Sequence, residues 1–402
     1  MNLPTLTVEL DLGNVQNGAV LDDAGSAQLD SAILEYSTPA FATDISSYVR
    51  GFTSSRGSAR ELQRIEAGTG SVLVDNRDRR FTPLLSSSPY FPDVVPMRRI
   101  RATATWSAVV YPIISGFVEA WPIGFPGDKD NVVEIRFVDA FTLLSRAFVS
   151  GDFVSQGSGA RVSAILDAIG WPGTERVIAT GVATVPAVTL ANVSALEHLQ
   201  QIEYAEGGRL FMDRSGKVAF AERTNDPQPD LSTRTWADNG TGMSYREISP
   251  VYDDELILND VRLTRTGGVE QVSVDLSSQG RYGIRTQAVS DVQLSSDGAV
   301  LSLADTLIDR YREPALRLES VVDNAMRHGL WDRVLAREIN DYAVVIESET
   351  ETNQVSRIEG ISHEIKDGTW TVSLAFSPTE VVVGGILDDG VLGLLDSTAI
   401  LA

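Results

Sequence analysis

The sequence predicts a mainly β protein, with two tube-like β-barrel domains and a small α+β domain between them. Short strand patterns dominate residues 1–150 and 251–380, whereas hydrophobic residues at helical spacing dominate residues 151–225. A length of 402 residues accommodates roughly two to four domains. We expect residues 226–250, rich in Asp, Pro, Asn, Gly, Ser and Thr, to form a connector. We expect residues 381–402 to form a C-terminal docking segment.

The first β-barrel domain is predicted from alternating hydrophobic residues. Leu6, Val8 and Leu10 alternate with polar residues, which is typical of a strand with one buried face. Prolines recur between residues 83 and 96, and we expect a long loop there because proline lacks the N–H that a strand ladder needs. Further strands are expected at 71–74, 100–106, 109–118 and 132–138.

The small α+β domain is predicted from two helices and a hairpin. The hydrophobic residues of the first helix share one face over residues 162–169. The second helix is expected to begin at Ser194, because Ser194 and Glu197 have the spacing of a capping box, and to end at Gly207. A strand–turn–strand pattern follows over residues 209–221.

The second β-barrel domain is predicted over residues 251–380 with one clear helix. We expect Ser302 to cap that helix and Pro314 to end it. Strands are expected at 256–265, 269–276, 342–348, 355–362 and 369–376.

Charge and composition exclude several functional classes. Lys and Arg total 33 and Asp and Glu total 55, giving a net charge of −22. Such a charge disfavours nucleic-acid binding and stable association with an anionic membrane. The chain has no cysteine, so disulfides and thiolate metal sites are impossible. The N-terminus lacks the pattern of a signal peptide, and no uncharged stretch of about 20 residues predicts a membrane span.

The search for catalytic or metal-binding residues predicts no enzyme and no cofactor. His198, His328 and His363 are each isolated, and we interpret them as structural. Residues 128–131 resemble half of a calcium loop, but a solvated turn explains them better. The acidic runs at 22–23 and 253–255 do not predict a carboxylate pair, because adjacent residues on a strand point to opposite faces.

Two features suggest partner interfaces. Arg77, Arg79 and Arg80, together with basic residues at 98–101, either pair with surrounding acids or contact an acidic partner subunit. The C-terminal segment is too apolar for a free tail, so we expect it to contact a neighbouring subunit or the next protein, or else to close over its own barrel. Its main candidate contact residues are Ile386, Leu387, Leu392, Leu394 and Leu395.

One group of motifs resembles a known family. Residues 66–68 read Glu-Ala-Gly, residues 75–78 read Asp-Asn-Arg-Asp and residues 81–83 read Phe-Thr-Pro. This run resembles the N-terminal barrel of the tail hub proteins of long-tailed bacteriophages, also called baseplate hub or minor tail proteins. Residues 207–213 and 360–363 resemble later parts of the same family.

The resemblance implies a structural protein of the virion. Members of the family form a homotrimeric ring at the tail tip, in which each chain supplies two barrels. The ring adapts the six-fold tail to a three-fold spike or fibre and provides a channel for genome ejection. The implied partners are other copies of the chain, the distal tail protein or tail tube, the tape measure protein, and the central spike or fibre. The implied location is the virion tail tip, after synthesis in the host bacterial cytoplasm.

Two further expectations follow from the resemblance and the charge. Some family members carry a cell-wall hydrolase extension, for which a chain ending near residue 402 leaves no room. An acidic lumen would repel DNA phosphates at contact range.

The alternative function is a glycan-acting or carbohydrate-binding protein for host-surface recognition, in which tryptophans would line a sugar site. The six tryptophans are scattered along the sequence, which favours roles in the core.

Overall fold

The computed structural model describes residues 3–12, 41, 43–60, 62, 64–124, 131–223 and 231–378. The C-terminal docking segment predicted at 381–402 lies outside these residues. Within them, strands predominate and the helices are few, so the mainly β class is confirmed.

The described part of residues 5–138 contains eight strands, five of which match strands expected from the sequence, whereas those at 43–44, 49–57 and 123–124 are not predicted. In the first strand Val8 and Leu10 are fully buried, whereas their neighbours Thr7 and Glu9 are partly exposed. The strands are β1 (Thr5–Leu10), β2 (Thr43–Asp44), β3 (Val49–Gly57), β4 (Thr69–Asp75), β5 (Arg99–Trp106), β6 (Val109–Ala120), β7 (Ile123–Gly124) and β8 (Val132–Val138).

The predicted long loop joins β4 to β5. The Asn76 side chain organises its start, because Oδ1 accepts a hydrogen bond from Phe81 N (2.9 Å) while Nδ2 donates to Thr82 Oγ1 (3.0 Å). Phe81 is fully buried and packs edge-on against Tyr48. The Asn-Arg-Asp…Phe motif therefore anchors the loop to the core.

The middle of the chain forms the expected α+β unit. Ser194 caps the second long helix by accepting a hydrogen bond from Glu197 N, and Gly207 ends it with a φ of 66°, as predicted. The first helix begins at Ser158, ahead of its hydrophobic stripe. The elements are α1 (Phe141–Arg146), β9 (Phe148–Phe153), β10 (Gln156–Gly157), α2 (Ser158–Ala168), β11 (Arg176–Ile178), β12 (Thr184–Val185), β13 (Val188–Ser194), α3 (Ala195–Glu206), β14 (Arg209–Met212) and β15 (Val218–Ala221).

The remaining residues complete the β structure and add a second small unit. The elements are β16 (Thr235–Ala237), β17 (Tyr245–Tyr252), β18 (Asp260–Arg265), β19 (Gln271–Val274), α4 (Leu276–Tyr282), β20 (Thr286–Val292), α5 (Asp297–Tyr311), β21 (Leu316–Asp323), α6 (Ala325–His328), α7 (Trp331–Leu335), β22 (Tyr342–Glu347), β23 (Thr352–Lys366) and β24 (Thr369–Pro378).

Two predictions for this region are wrong in detail. The connector expected at 226–250 contains β16 and most of β17, because hydrogen bonds to β22 and β21 recruit these polar residues into a sheet. The helix α5 is capped by Ser296, whose side chain accepts from Ala299 N, and not by Ser302. Ser302 lies inside the helix and donates its hydroxyl to Gly298 O (3.0 Å).

One 14-stranded sheet contains strands from both β-rich blocks. Its order is β17-β21-β24-β23-β3-β4-β8-β6-β5-β1-β2, with the short strands β16, β22 and β7 attached to its sides. The blocks meet where β3 pairs antiparallel with β23, from Gly51↔Lys366 to Gly57↔Gly360. A Cβ on Gly57 would lie 2.1 Å from Glu359 O, and its φ is +89°, so this junction requires glycine.

The second small unit interrupts the strands of the large sheet. It contains a three-stranded sheet of order β19-β18-β20, covered by α5. Its separate core includes Val261, Leu263, Val300 and Leu303. The sequence predicts β18, β19 and α5, but it predicts neither β20 nor the separation of this unit from the large sheet.

Candidate functional surface

The outward side of four neighbouring strands carries rows of short hydroxyl side chains. The cross-strand register of β24, β23, β3, β4 and β8 aligns Ser373, Ser362, Ser55 and Thr69 in one row. The next row contains Thr371, Glu364, Thr53, Ser71 and Arg136. We call this surface the hydroxyl face; its members are Thr53, Ser55, Thr69, Ser71, Ser362, Thr371 and Ser373.

Alternation along each strand produces this surface. In β4, Val72 and Val74 point inward and are fully buried, so Thr69 and Ser71 are directed outward. The same alternation in β24 buries Val372 and exposes its polar neighbours. The hydroxyl face is thus the solvent side of a sheet whose other side forms the main core.

The hydroxyl groups bind one another across the strands. Thr53 Oγ1 and Ser71 Oγ are 3.0 Å apart, and Ser362 Oγ donates to Ser55 Oγ over 3.0 Å. A concave depression of about 480 Å³ lies over these residues. These side chains are short and are hydrogen-bonded to one another. The surface of the depression is therefore smooth, and few hydrogen-bond donors point toward a ligand.

The charges beside the hydroxyl face leave only a small excess of acid. Glu134 pairs with Arg136 at 2.6 Å, and Lys366 follows Glu364 on β23. Glu119 lines the same depression and adds one acid. The net charge of −22 is therefore not concentrated on this surface.

A buried ionic junction lies behind the point where β3 meets β23. Arg56 donates to Glu338 Oε1 (2.7 Å) and to Met212 O (3.2 Å), which links the large sheet to the α+β unit. Arg209 donates to Glu359 Oε2 (2.7 Å), and Ser377 also donates to Glu359. Burial by itself would raise the pKa of Glu359, but Arg209 and Ser377 hold it below its ordinary value.

A second buried carboxyl near this junction titrates differently. Burial raises the pKa of Glu203 to about 7, although the backbone N–H of Leu210, which donates to Oε1 over 2.9 Å, favours the charged form. Glu203 has no ion pair within the described part of the chain. Its carboxyl therefore loses its proton near neutral pH.

The histidines are placed as structural residues. Burial and the nearby Arg56 lower the pKa of His363 to about 3, and Trp370 Nε1 donates to its Nδ1 over 3.3 Å. Burial lowers the pKa of His198 to about 4. His328 lies 3.3 Å from Asp323. The described ranges contain no group of three or more His, Asp or Glu residues that could hold a metal ion.

The acidic run at 253–255 is engaged in ion pairs on the surface. Glu255 pairs with Arg60, and Asp254 pairs with Arg285. Asp253 lies 3.6 Å from Arg317. The runs at 22–23 and 128–130 are outside the described residues.

The predicted arginine cluster separates into paired and unpaired members. Arg77 pairs with Asp75, and Arg80 pairs with Asp78 at 2.7 Å. The guanidinium of Arg80 also lies 4.1 Å from the centroid of the Tyr48 ring. Arg79 is exposed and forms no ion pair with any described residue. The structure therefore leaves Arg79 available for contact with a partner.

The other candidate contact residues, Ile386, Leu387, Leu392, Leu394 and Leu395, lie outside the described residues.

The tryptophans belong to the core. Trp331 and Trp236 are fully buried, and Trp370 is 3% exposed. Trp331 packs 5.6 Å from Trp370 and 6.5 Å from Trp106, between ring centroids. Tertiary packing thus gathers three tryptophans that are scattered in sequence; it buries the rings of Trp331 and Trp370 and leaves Trp106 partly exposed.

Comparison with known proteins identifies solved structures with a similar fold. No family model matches the chain, and no curated protein matches its sequence. The tail protein from Neisseria meningitidis has a similar structure, with a TM-score of 0.60 and 10% identity over 93% of this chain and 96% of that one. The chain has the fold of phage tail proteins.

A second solved structure supports this conclusion. The 43 kDa tail protein of prophage MuSo2 from Shewanella oneidensis matches the tail-protein fold with a TM-score of 0.54 and 12% identity. That match covers 82% of this chain and 94% of the other. The resemblance predicted from the Asp-Asn-Arg-Asp motif is confirmed at the level of the fold. Among the described residues, no helix is both long and apolar enough to span a membrane.

Proposed function

We propose that this chain is a structural, non-enzymatic component of a phage tail, in which three copies form a hub ring at the tail tip. The observation that carries the proposal is the likeness to a tail protein over 93% of the chain. The ring would adapt the six-fold tail to a three-fold spike or fibre.

The β3–β23 junction joins the two β-rich blocks of each chain, which supports the assembly of three such chains into a ring. Each chain contributes a continuous sheet in which one block follows the other edge to edge. Three copies therefore provide six sheet segments, which is the number needed to match a six-fold tube. The ionic junction formed by Arg56 and Glu338 would keep the two blocks at a constant angle.

The hydroxyl face is our candidate for the channel wall. DNA binds proteins mainly through phosphate contacts with Lys and Arg. On this surface Arg136 is paired with Glu134, and the central positions are Ser and Thr. A wall of this kind would not bind the passing DNA. The reason would be the low charge of the hydroxyl face, and not the strongly acidic lumen expected from the charge of the whole chain.

The remaining surfaces would contact other tail proteins. We assign one side of the ring to the distal tail protein or tail tube and to the tape measure protein, and the other side to the central spike or fibre. The loop that carries Arg77, Arg79 and Arg80 is our candidate for a contact with an acidic partner.

Imaging of assembled tail tips tests the proposal. Electron microscopy of particles that carry the tagged chain should show three copies around the tail axis, with β3, β4 and β23 facing the channel. Two, four or six copies would contradict the ring. Three copies with the hydroxyl face turned away from the axis would contradict the channel assignment alone.

A further inference from the structure

A cavity of about 380 Å³ lies where three parts of the molecule meet. Its walls come from α3 of the α+β unit, from β20 and α5 of the second small unit, and from β23 of the large sheet. This volume is within the range of ligand-binding pockets, about 300–1,000 Å³. Leu303 and Leu307 make one wall apolar.

The cavity is basic in an otherwise acidic protein. Its basic residues are Arg64, Arg209, Arg310 and Arg357, and its acidic residues are Glu203 and Asp291; Arg209 is also paired with the buried Glu359, so the excess of basic groups comes from the other three arginines. The chain as a whole carries a net charge of −22. A local excess of guanidinium groups beside apolar side chains favours an occupant that is both acidic and hydrophobic.

Several polar atoms around this cavity lack partners. Tyr204 Oη, Gln287 Oε1, Arg209 Nε and Arg357 Nε are buried and have no hydrogen-bond partner within the described ranges. Arg357 is only 8% exposed, and its Nη2 donates to Tyr342 Oη over 3.1 Å. Since buried polar groups in proteins are normally hydrogen-bonded, the two Nε–H groups indicate an acceptor that comes from elsewhere.

The last described residue of the chain lies at the mouth of the cavity. Arg310 Nη2 donates to Pro378 O over 3.4 Å. The residues that follow, 379–402, include Glu380, Asp388, Asp389 and Asp396 with many Ile, Leu and Val residues, and they contain no Lys or Arg. An extended chain covers about 3.3–3.6 Å per residue, so all of these acids can reach the cavity.

We propose that residues 379–402 dock into this cavity of their own chain. An acidic side chain would accept the hydrogen bonds of Arg209 and Arg357, and hydrophobic residues of the segment would pack against Leu303. Of the two alternatives that the sequence leaves open, the position of Pro378 favours closure over the same chain. The docking is independent of the proposed role in a tail.

Photo-cross-linking of the full chain tests this proposal. The chain has no cysteine, so Thr306→Cys introduces a single attachment point for a benzophenone maleimide on the cavity side of α5. The matched control is Leu301→Cys, which lies on the same helix, is 36% exposed and does not line the cavity. Copies that carry the benzophenone are mixed with isotope-labelled copies, so that mass spectrometry can distinguish cross-links within one copy from cross-links between copies.

The expected result is a cross-link from residue 306 to residues 379–402 within one copy, with a yield about fivefold above that of the control. Adding Arg310→Glu should lower this yield about fivefold while the far-UV dichroism stays unchanged, because the exposed Arg310 is replaced by a charge that repels the segment. Any of four results would overturn the proposal: equal yields from the two positions, products only with residues 60–64, products between copies, or a yield insensitive to Arg310→Glu.

Discussion

Arg209 on β14 and Glu359 on β23 form an ion pair of 2.7 Å that joins the α+β unit to the large sheet. The Glu359 side chain is 1% exposed, and that of Arg209 is 13% exposed. Breaking a buried pair by removing one partner leaves an uncompensated charge in the interior. This pair is therefore a sensitive point for the arrangement of the two units.

We expect Arg209→Met to lower the free energy of unfolding by about 3–5 kcal/mol. The double variant Arg209→Met/Glu359→Gln should be more stable than Arg209→Met alone, because it removes the orphaned carboxylate as well. Denaturant unfolding measures both. A double variant whose loss equals the sum of the two single losses would show that the pair is not coupled.

Gly57 tests the junction between β3 and β23. Gly57→Ala should weaken this pairing, because its Cβ would lie 2.1 Å from Glu359 O. Gly368→Ala is the matched control: its φ is +73°, but no atom lies near its Cβ position. The control should cost about 1–2 kcal/mol of backbone strain, and Gly57→Ala clearly more. Thermal unfolding of the two variants decides the point, and equal losses would contradict the close approach.

Glu203 makes stability depend on pH in a predictable direction. Its pKa is raised from 4.5 to about 7 in the folded protein. The folded state therefore binds the proton more tightly than the unfolded state, so the free energy of unfolding decreases as the pH rises from about 4.5 to about 7. The contribution of this residue is on the order of 3 kcal/mol.

Glu203→Gln retains the acceptor for Leu210 N and removes the titration. The variant should gain stability relative to the natural chain as the pH is raised from 4.5 to 8, with the difference levelling off above about 7. Unfolding measured at several pH values gives this difference directly. It isolates Glu203 from the buried His198 and His363, whose lowered pKa values act in the opposite direction. A difference independent of pH would exclude the raised pKa.

The hydroxyl face gives a test of DNA passage. The natural chain should not bind duplex DNA above background at about 0.15 M salt, because most basic side chains on its surface form ion pairs with acidic residues. Particles that carry Ser55→Arg and Ser71→Arg should assemble and then eject DNA more slowly, whereas particles with arginines at Ser86 and Ser87 should eject normally. Ser86 and Ser87 are exposed positions in the long loop, away from the hydroxyl face. Unchanged ejection by both sets of particles would remove this face from the channel.

Local sequence patterns predict many individual elements because they depend on neighbouring residues. The helix from Ser194 to Gly207 follows from a capping box and a C-terminal glycine, both of which satisfy backbone groups within one turn. The helix α5 shows the limit of this reasoning: the sequence predicts Ser302 as its cap, but in the folded chain the helix begins earlier and Ser296 caps it.

The sequence by itself determined the mainly β class, the α+β insert and the family likeness, since alternation, caps and the Asp-Asn-Arg-Asp loop act over a few residues. Tertiary structure alone decided how these parts combine. Arg56 and Glu338 are 282 positions apart, and the rows of the hydroxyl face depend on the register between strands from both ends of the chain. No local signal specifies such pairings, because they are selected by burial of the shared core and by the hydrogen bonds of strand edges that meet only in the folded chain.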